Sequence, residues 1–572
     1  MRRNQFVKKS AAFALALTLS VSVFTGCGKS NKKTSGGKAQ TESAKEAETT
    51  RKLEVEGTEV KPQLQTKLNV IEDNNRNVYE IFVGSFYDSD GDGMGDINGV
   101  IQKLDYINDG NPETDTDLGC NAIWFMPVNP SPSYHKYDVL DYREIDKTYG
   151  TLDDFKNLIN ECHKRGITVI MDLVMNHSSI ANEWFKQAKQ YLQSLPADQE
   201  PNPADCKYVD YYTFTKEKKG SIYYPVGSTP YYYLGQFSQQ MPDLNLANPD
   251  VRAEFEQISK YWLDMGVDGF RLDAAKEYFS GETQKNVEVL TWFNNYVKSV
   301  NPNAYIVAET WTSDYATYLT SGIDSAFDFS YSGSDGELSH ITHGTDPAYN
   351  GKYFADCLVQ SQNEVQAANP NALQASFLSN HDIDRPAAYL AYKENRIKFA
   401  QGLQMMINGA SFIYYGDEIG LGGSGADENK RSPMIWSAKD TKGQTRGPVN
   451  MTKDYVINSF EAVDNQEKDK NSVLSYVKQA LKLRNIFPEI ARGQLAEIET
   501  GDEDIMSVSK TYNGSKIIIL ANCNNDETKQ VKLSRTENGY TCIQGELSVT
   551  EEEPYQVDDT IVLPPNAIVI LK

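Results

Sequence analysis

The stretch Gly269-Phe270-Arg271-Leu272-Asp273-Ala274-Ala275-Lys276 places a cation two residues before a carboxylate in a short apolar segment. Residues 261–267 have the pattern of an amphipathic helix that ends and leads into a strand. On a strand, Arg271 and Asp273 point to the same face. A neighbouring cation holds a carboxylate ionised, as covalent catalysis by a carboxylate requires. The alternative is a buried ion pair with a purely structural role.

Three further segments end a short apolar run with acidic residues or histidine: Asp172-Leu173-Val174-Met175-Asn176-His177, Ala308-Glu309-Thr310-Trp311 and Phe377-Leu378-Ser379-Asn380-His381-Asp382. With the opening stretch, and in this order, they resemble the four signature regions of the α-amylase family, glycoside hydrolase family 13. The resemblance extends from about residue 78 to the C-terminus. It implies that Asp273 is the nucleophile, Glu309 the general acid and Asp382 the stabiliser of an oxocarbenium-like charge. Spacing alone does not assign these roles.

The chain from residue 78 repeats a unit in which a β-rich apolar run is followed by a turn and a helical stretch. Eight such runs occur, at residues 78–86, 121–128, 168–175, 267–274, 304–310, 325–329, 375–382 and 409–420. Alternating strands and helices are the pattern of an α/β fold of the (β/α)8 TIM barrel type. Catalytic side chains of such barrels lie at the C-terminal ends of the strands. Asp273, Glu309 and Asp382 fall there, on strands four, five and seven.

Two segments lie outside the predicted barrel, which we assign to residues 76–175 and 244–487. Residues 176–243 form a long Tyr-rich excursion after the third strand, and such excursions are usually functional. In the family this segment is domain B, which walls one side of the cleft. Residues 488–572 contain short apolar runs separated by Asn-rich turns, which predict an antiparallel β-sandwich, the family's domain C.

The N-terminus has the pattern of an export signal. Four basic residues precede an apolar run at residues 11–24, and Thr25-Gly26-Cys27 follows. This ending resembles a bacterial lipoprotein signal covering residues 1–27, in which Cys27 becomes lipidated. Residues 28–75 are predicted to be a flexible linker. We expect an extracytoplasmic protein that is lipid-anchored to the bacterial cell membrane; an uncleaved signal anchor is the alternative.

Composition limits the partners. The net charge of −23 argues against nucleic acid and suits a soluble protein with a neutral substrate. We expect a monomer. The six cysteines after Cys27 have no metal-type spacing. Cys523 and Cys542 lie in one β-rich region and are the best candidates for a disulfide, whereas Cys120 and Cys162 are expected to be free buried thiols.

An Asp- and Gly-rich loop follows the first strand. It offers oxygen ligands at Asp88, Asp90, Asp92 and Asp96, with the carbonyl of Met94 as a fifth, and is similar to the calcium loop of one branch of the family. Oxygen-rich loops of this kind bind Ca²⁺; the alternative is a turn without metal.

A second calcium site is suggested by the resemblance alone. Asn176 on the third strand, Asp243 before the fourth and the carbonyl of Glu277 occupy the family's positions. A plain hydrogen bond between Asn176 and Asp243 is an equal alternative.

Substrate contacts are implied by the same resemblance. We expect them from the following residues: His135, Tyr137, His177, Arg271, Lys276, His381 and Arg431. Tyr137 would stack on the sugar at the cleavage point, and His177 and His381 would hydrogen-bond it. Arg431 either faces the cleft or braces it.

The predicted reaction is retaining hydrolysis of internal α-1,4-glucosidic bonds in starch and malto-oligosaccharides. The sequence of residues 241–245 is intermediate between two versions of this family segment, one resembling that of oligo-1,6-glucosidases and the other that of neopullulanases. Ala274 and Lys276 favour α-1,4 chains. The small side chain of Ala274 leaves space in the cleft, and Lys276 can reach a sugar beyond the cleaved bond. Position 277 holds Glu, whereas α-amylases commonly have His at this position. Tyr134 and His135 favour an open cleft.

Two alternatives stay open. One is a neopullulanase-like or oligo-1,6-glucosidase-like hydrolase or transglycosylase. The other is a non-catalytic glucan-binding protein, since a fold does not fix a function.

We predict that the full-length protein partitions into membranes and that Cys27→Ser blocks its lipid-dependent processing. Detergent-phase partitioning of the wild type and the variant measures this, because acyl chains supply the membrane affinity. Equal partitioning of the two proteins would instead indicate an uncleaved apolar anchor.

Overall fold

A computed structural model describes residues 55–114, 116–196 and 198–572. Within it, Glu59–Lys572 form one compact unit. The predicted signal segment with Cys27 and the first half of the predicted linker lie outside the described residues. Among the described helices, none has the length and apolar character needed to cross a bilayer.

Eight parallel strands form a barrel. In chain order they are β1 to β8: Asn77–Ile81, Ala122–Phe125, Thr168–Leu173, Gly269–Leu272, Tyr305–Ala308, Ser325–Ala326, Ala375–Phe377 and Ala410–Tyr414. They are hydrogen-bonded in the order 6-5-4-3-2-1-8-7, and a parallel bridge from Phe327 to Ala375 closes the ring. Each predicted run overlaps one of these strands, so the barrel prediction is confirmed.

The two faces of each barrel strand are buried in different cores. Val78 of β1 packs with other interior side chains such as Trp124 and Phe412, whereas Tyr79 packs against the outer layer. Because side chains alternate along a strand, Glu80 shares the inner face with Val78. Polar side chains near the C-terminal ends of the strands are thereby directed into one end of the barrel.

Helices alternate with the strands. They are Ile97–Gln102, Leu104–Ile107, Leu152–Lys164, Pro249–Met265, Thr283–Val300, Ala316–Leu319, Glu337–His343, Gly351–Ala368, Pro386–Tyr389, Glu394–Met405, Asp427–Lys430, Val463–Gln466, Val473–Ile486 and Pro488–Arg492. The helix before β4 has clear start and stop signals. Asn248 caps its first turn, Pro249 occupies the first helical position, and Gly266 ends it with φ of 112°. These signals fix where β4 begins.

The excursion after β3 forms a small separate layer. It holds the helix Glu183–Ser194 and three antiparallel strands, Phe214–Thr215, Tyr223–Pro225 and Tyr232–Leu234. An antiparallel bridge joins His177 to Asp243, so the two ends of the excursion meet beside the end of β3.

The C-terminal region is a sandwich of two antiparallel sheets. The first sheet contains Gln494–Glu497, Ile505–Tyr512, Ser515–Asn522, Ile568–Leu571 and Ile543–Leu547, in that order. The second contains Glu59–Val60, Tyr555–Val557, Thr560–Leu563 and Lys529–Lys532. One core holds Ile518 and Val569 from the first sheet with Val531 and Ile561 from the second. The antiparallel C-terminal domain is therefore as predicted.

The linker prediction is wrong for the end of its range, residues 28–75. Glu59–Val60 pairs with Gln556 and Val557 as an edge strand of the second sheet. The backbone N–H groups of Gln63 and Gln65 donate to Ile543 and Gln544, each at 2.9 Å. An exposed sheet edge offers unpaired backbone groups to any extended segment, and that pairing needs no hydrophobic pattern in the sequence.

The predicted disulfide is also absent. Among the described residues, no disulfide is formed by any of the six cysteines Cys120, Cys162, Cys206, Cys357, Cys523 and Cys542. Cys523 lies two residues after Ala521, which pairs with Ile568, whereas Cys542 directly precedes Ile543, which pairs with Leu571. The two cysteines therefore lie at opposite ends of the strand Ile568–Leu571, beyond the reach of a disulfide.

Candidate active site

One guanidinium group lies at the centre of the polar cluster inside the barrel. Arg271 of β4 is fully buried and is paired in register with Asp172 of β3. Its Nη1 donates to both Asp172 oxygens, at 3.0 and 2.8 Å, and to Asp273 Oδ1 at 2.9 Å. Its Nη2 lies 2.8 Å from Glu309 Oε2. A single cation thus holds carboxylates from the ends of three adjacent strands.

Glu309, at the end of β5, is fixed by a turn at the end of β4. Ala274 has φ of 47°, an uncommon backbone conformation for a residue with a side chain, and its N–H donates to Glu309 Oε2 at 3.0 Å. Burial raises the pKa of Glu309 to about 7; Arg271 opposes this rise, and the carboxylates of Asp273 and Asp382 add to it. Glu309 therefore retains a proton into the neutral range.

Asp382, at the end of β7, has a different environment. Its side chain is 48% exposed, and Oδ1 accepts from Arg431 Nη2 at 3.0 Å. Desolvation works against its charge, but His381 and Arg431 outweigh it and hold the pKa of Asp382 below its usual range. Lys430 Nζ donates to the backbone carbonyl of Asp382 at 2.8 Å. Arg431 thus forms an ion pair with Asp382.

His381 connects Asp382 to the barrel interior. Its Nδ1 lies 2.6 Å from Glu80 Oε1, and its Nε2 lies 2.6 Å from the Tyr137 hydroxyl. The rings of His381 and Tyr137 are stacked, with centroids 5.4 Å apart. Burial disfavours the charged imidazole, but Asp382 and Glu80 raise the pKa of His381 to about 9.

The remaining predicted histidines lie on the same side of the site as Tyr137. His135 Nδ1 accepts from the Tyr137 N–H at 3.1 Å. His177 is buried against Phe237, with ring centroids 5.3 Å apart, and its Nε2 has no hydrogen-bond partner among the described residues. Buried polar atoms are normally hydrogen-bonded, so a ligand atom is one partner that could satisfy this nitrogen.

Lys276 lies after β4, near the Trp311 ring. Its Nζ is 3.0 Å from Glu277 Oε1 and 5.2 Å above the centre of that ring. The side chain is 34% exposed. The ammonium group is thus oriented by a carboxylate and an aromatic face while remaining accessible to solvent.

Sequence reasoning assigned no role to two residues of this cluster, Glu80 and Asp172. Both are buried carboxylates on the inner face of a barrel strand, 1% exposed. The signal available in the sequence was an acidic residue inside an otherwise apolar run. Such a residue in a parallel barrel has to be paired, because an isolated buried charge is too costly.

The Asp-rich loop brings some of its predicted ligands together. Asp88, Asp90 and Asp96 place oxygens within 4.8 Å of one another. Asp92 is outside this group, and its carboxylate accepts the Met94 N–H at 2.7 Å. Three clustered carboxylates are a suitable donor set for a hard cation such as Ca²⁺.

At the predicted second metal site, the buried carboxyl group of Asp243 lies near Glu277, whose carboxylate is paired with Lys276. Asp243 Oδ1 accepts the Gln236 N–H at 3.0 Å, and Gln236 Nε2 lies 3.4 Å from Glu277 Oε2. Burial raises the pKa of Asp243 to about 7 despite that hydrogen bond, and Glu277 adds to the rise. The Asn176 carbonyl accepts the Leu244 N–H at 2.9 Å.

Comparison with known proteins identifies the family. The family described as Alpha amylase, catalytic domain, matches residues 80–493. The chain belongs to the α-amylase family and is a glycoside hydrolase. Membership implies an α-glucan substrate.

Three similar proteins illustrate its place in the family. Alpha-amylase 3 of Dictyoglomus thermophilum is 36% identical over 78% of this chain and 85% of its own length. An oligo-1,6-glucosidase of Parageobacillus thermoglucosidasius is 30% identical over 78% and 89%. The structure of Eubacterium rectale Amy13B matches with a TM-score of 0.83 and 41% identity, covering 90% of this chain and 99% of that one. The predicted position between branches is therefore confirmed.

The elevated pKa of Glu309 predicts a pH-dependent stability. The folded value, about 7, exceeds the unfolded value of 4.5. This contribution to stability is fully present below about pH 4.5 and is lost as the pH rises through about 7. Glu309→Gln stays neutral, so its stability relative to the wild type should increase between about pH 5 and pH 8.5, by on the order of 1–3 kcal/mol.

Thermal unfolding at the two pH values measures this difference. Glu288→Gln, at an exposed position on the helix after β4, is the matched control and should show no such trend. A gap between Glu309→Gln and the wild type that stays constant with pH would contradict the assignment of an elevated pKa to Glu309.

Proposed function

We propose that the protein is a retaining α-amylase that cleaves internal α-1,4-glucosidic bonds of starch and malto-oligosaccharides outside the cytoplasm, anchored by a lipid on Cys27. One observation carries the reaction type. Asp273 and Glu309 contact different nitrogens of the same buried guanidinium, at 2.9 and 2.8 Å. Two carboxyl groups that share one guanidinium are neighbours at the same end of the barrel, as the proposed retaining reaction, with a separation of roughly 5 Å, requires.

In the first step, Asp273 attacks the anomeric carbon and the bond to the leaving oxygen breaks. Glu309 donates its proton to that oxygen, which becomes the hydroxyl of the departing chain. The hydrogen bond from Arg271 Nη1 orients the Asp273 carboxylate for the attack. Burial keeps Glu309 protonated until the bond breaks.

In the second step, Glu309, now a carboxylate, takes a proton from water, and the water attacks the same carbon. The bond to Asp273 breaks and the carboxylate is regenerated. Asp382, ionised and about half exposed, stabilises the positive charge on the sugar ring in both steps and accepts hydrogen bonds from sugar hydroxyls. His177 Nε2, which lacks a protein partner, is available to one of these hydroxyls.

The α-1,4 preference is supported by the surroundings of Ala274 and Lys276. A small side chain at position 274 leaves space beside the Glu309 carboxylate, which its N–H contacts. Lys276 is held between Glu277 and Trp311 and can donate to a sugar on the leaving side. Tyr134 lies beside Arg431 with its hydroxyl 3.4 Å from Nη1, in place of the acidic residues that close an exo-acting pocket.

A second candidate is hydrolysis of α-1,6 bonds in short oligosaccharides. The similarity to an oligo-1,6-glucosidase over 89% of that protein's length favours it. Both candidates use the same three carboxylates, so only the substrate distinguishes them.

A calcium ion at the Asp88–Asp96 loop is part of the proposal. Asp88, Asp90 and Asp96 would hold the ion, and it would offset the repulsion among these carboxylates. Asp92 and the carbonyl of Met94 belong to the same loop. The backbone N–H of Asp88 donates to Gly443 at 3.0 Å, which links this loop to residues 441–446 after β8.

We predict that the wild type hydrolyses starch to short malto-oligosaccharides and acts far more slowly on isomaltose. Asp273→Asn should retain less than about a tenth of the wild-type kcat, because the nucleophile acts only in the chemical steps. Product analysis on starch, pullulan and isomaltose, with circular dichroism to verify folding, measures both expectations.

Faster turnover of isomaltose than of maltotriose would assign the protein to the α-1,6 candidate. Substantial starch hydrolysis by folded Asp273→Asn would remove Asp273 from the nucleophile role. Binding of starch without any turnover by the wild type would make the protein a glucan-binding protein.

We predict that a chelator lowers the melting temperature and that Ca²⁺ restores it better than Mg²⁺, which requires stricter octahedral geometry. Asp90→Ala should remove most of this response, because Asp90 is an exposed member of the carboxylate cluster. Asp243→Asn is the matched variant for the second site. If the response persists in Asp90→Ala and disappears in Asp243→Asn, the metal belongs to the second site.

A further inference from the structure

We propose that Glu80 is a positioning residue that holds the imidazole of His381 protonated on both nitrogens and fixed in orientation beside Asp382. The consequence for the sugar rests on the proposed function, whereas the protonation state of His381 does not. Glu80 lies on the inner face of β1 and is 1% exposed, and His381 is fully buried. Their contact of 2.6 Å between Oε1 and Nδ1 is short, as expected when both groups are charged.

The hydroxyl group of Tyr137 identifies where the second proton of the imidazole is. This hydroxyl accepts from Arg271 Nη1 at 3.3 Å and donates its single hydrogen to Asp172 Oδ2 at 3.2 Å. One lone pair remains, and His381 Nε2 lies 2.6 Å away. If Nε2 had no proton, the hydroxyl group would have to turn its hydrogen toward Nε2, and the 3.2 Å contact with Asp172 Oδ2 would lose that hydrogen. A proton on Nε2 completes the hydrogen bonding of all three groups.

Charged and titratable groups from several strands and loops surround His381. In order of position they are Glu80 of β1, Tyr137 after β2, Asp172 of β3, Arg271 of β4, the adjacent Asp382 and Arg431 after β8. Glu80 and Asp382 contact the two ring nitrogens directly, whereas the two arginines lie behind Tyr137 and Asp382. Two anions in contact outweigh burial and raise the pKa of His381 to about 9.

The pair also satisfies a stability requirement. A buried carboxylate on an inner barrel face is costly unless a cation or several donors compensate it. The imidazolium of His381 supplies that compensation for Glu80 and a second N–H for the hydroxyl group of Tyr137. With its orientation fixed by Glu80, His381 keeps Asp382 ionised where that carboxylate would stabilise the charge on the sugar ring.

Histidine-selective NMR tests the proposal on the full-length protein without substrate. The chain has only six histidines, so the His381 signals can be assigned by their loss in His381→Asn. We expect wild-type His381 to be an imidazolium at neutral pH and to titrate well above the range of free histidine. In Glu80→Gln, which has the same shape without the charge, the midpoint should fall by more than about one pH unit.

Glu418→Gln is the matched control. Glu418 is an equally buried carboxylate that accepts hydrogen bonds from Tyr79, the residue before Glu80, but on the outer side of the strand. Its substitution should leave the His381 midpoint unchanged. Glu80→Asp, which keeps a carboxylate, should retain a higher midpoint than Glu80→Gln.

A neutral His381 in the wild type at pH 7 would overturn the proposal, and so would equal midpoints in the wild type and Glu80→Gln. The wild-type spectrum decides the matter even if Glu80→Gln does not fold. Because no substrate is used, a protein that fails to cleave starch still reports the state of His381, so this proposal and the proposed function can fail separately.

Discussion

The arrangement of this site depends on the burial of one guanidinium group with three carboxylates. Arg271 has no exposed surface and contacts Asp172, Asp273 and Glu309. Arginine suits this position because its planar group offers donors in fixed directions and stays charged in any protein environment. The barrel has to preserve this contact, since a slip of one residue in β3 or β4 would turn Asp172 or Arg271 to the other face. The register between β3 and β4 therefore determines both the pairing of these strands in the barrel and the contact of Arg271 with Asp172 in the site.

One cation cannot neutralise three carboxylates. Burial raises the pKa of both Asp172 and Glu309 to about 7, although Arg271 opposes the shift in each. The cluster consequently holds a proton near neutral pH, and this proton belongs to the group of acids rather than to one residue alone. Under the proposed mechanism, this is the proton that the leaving oxygen receives. The crowding of acids that costs stability is thus the source of the general acid.

Much of this arrangement could be predicted from the sequence, and the remainder could not for identifiable reasons. The barrel and its catalytic end followed from eight apolar runs, because burial on both faces leaves a strong hydrophobic signal. The roles of Glu80 and Asp172 depend on which side chains meet inside a closed ring, and spacing along the chain does not contain that information. Glu59–Val60 was missed because an edge strand is held by backbone groups. The pairing of Cys523 with Cys542 failed because nearness in sequence and sheet membership do not give the position along a strand.

The carboxylates differ because the numbers of cations around them differ. Asp172, Asp273 and Glu309, at the ends of β3 to β5, share one arginine, whereas Asp382, at the end of β7, has His381 and Arg431 on its two oxygens. The first environment favours a bound proton and the second favours a charge, although Asp382 and Glu309 lie at the same end of one barrel. The carboxylate on β7 has two cations beside it, whereas the three carboxylates on β3 to β5 share one. This difference is sufficient to make Glu309 an acid and Asp382 a permanent anion. The division of chemical roles in the proposed mechanism is therefore a consequence of where the barrel places its few cations.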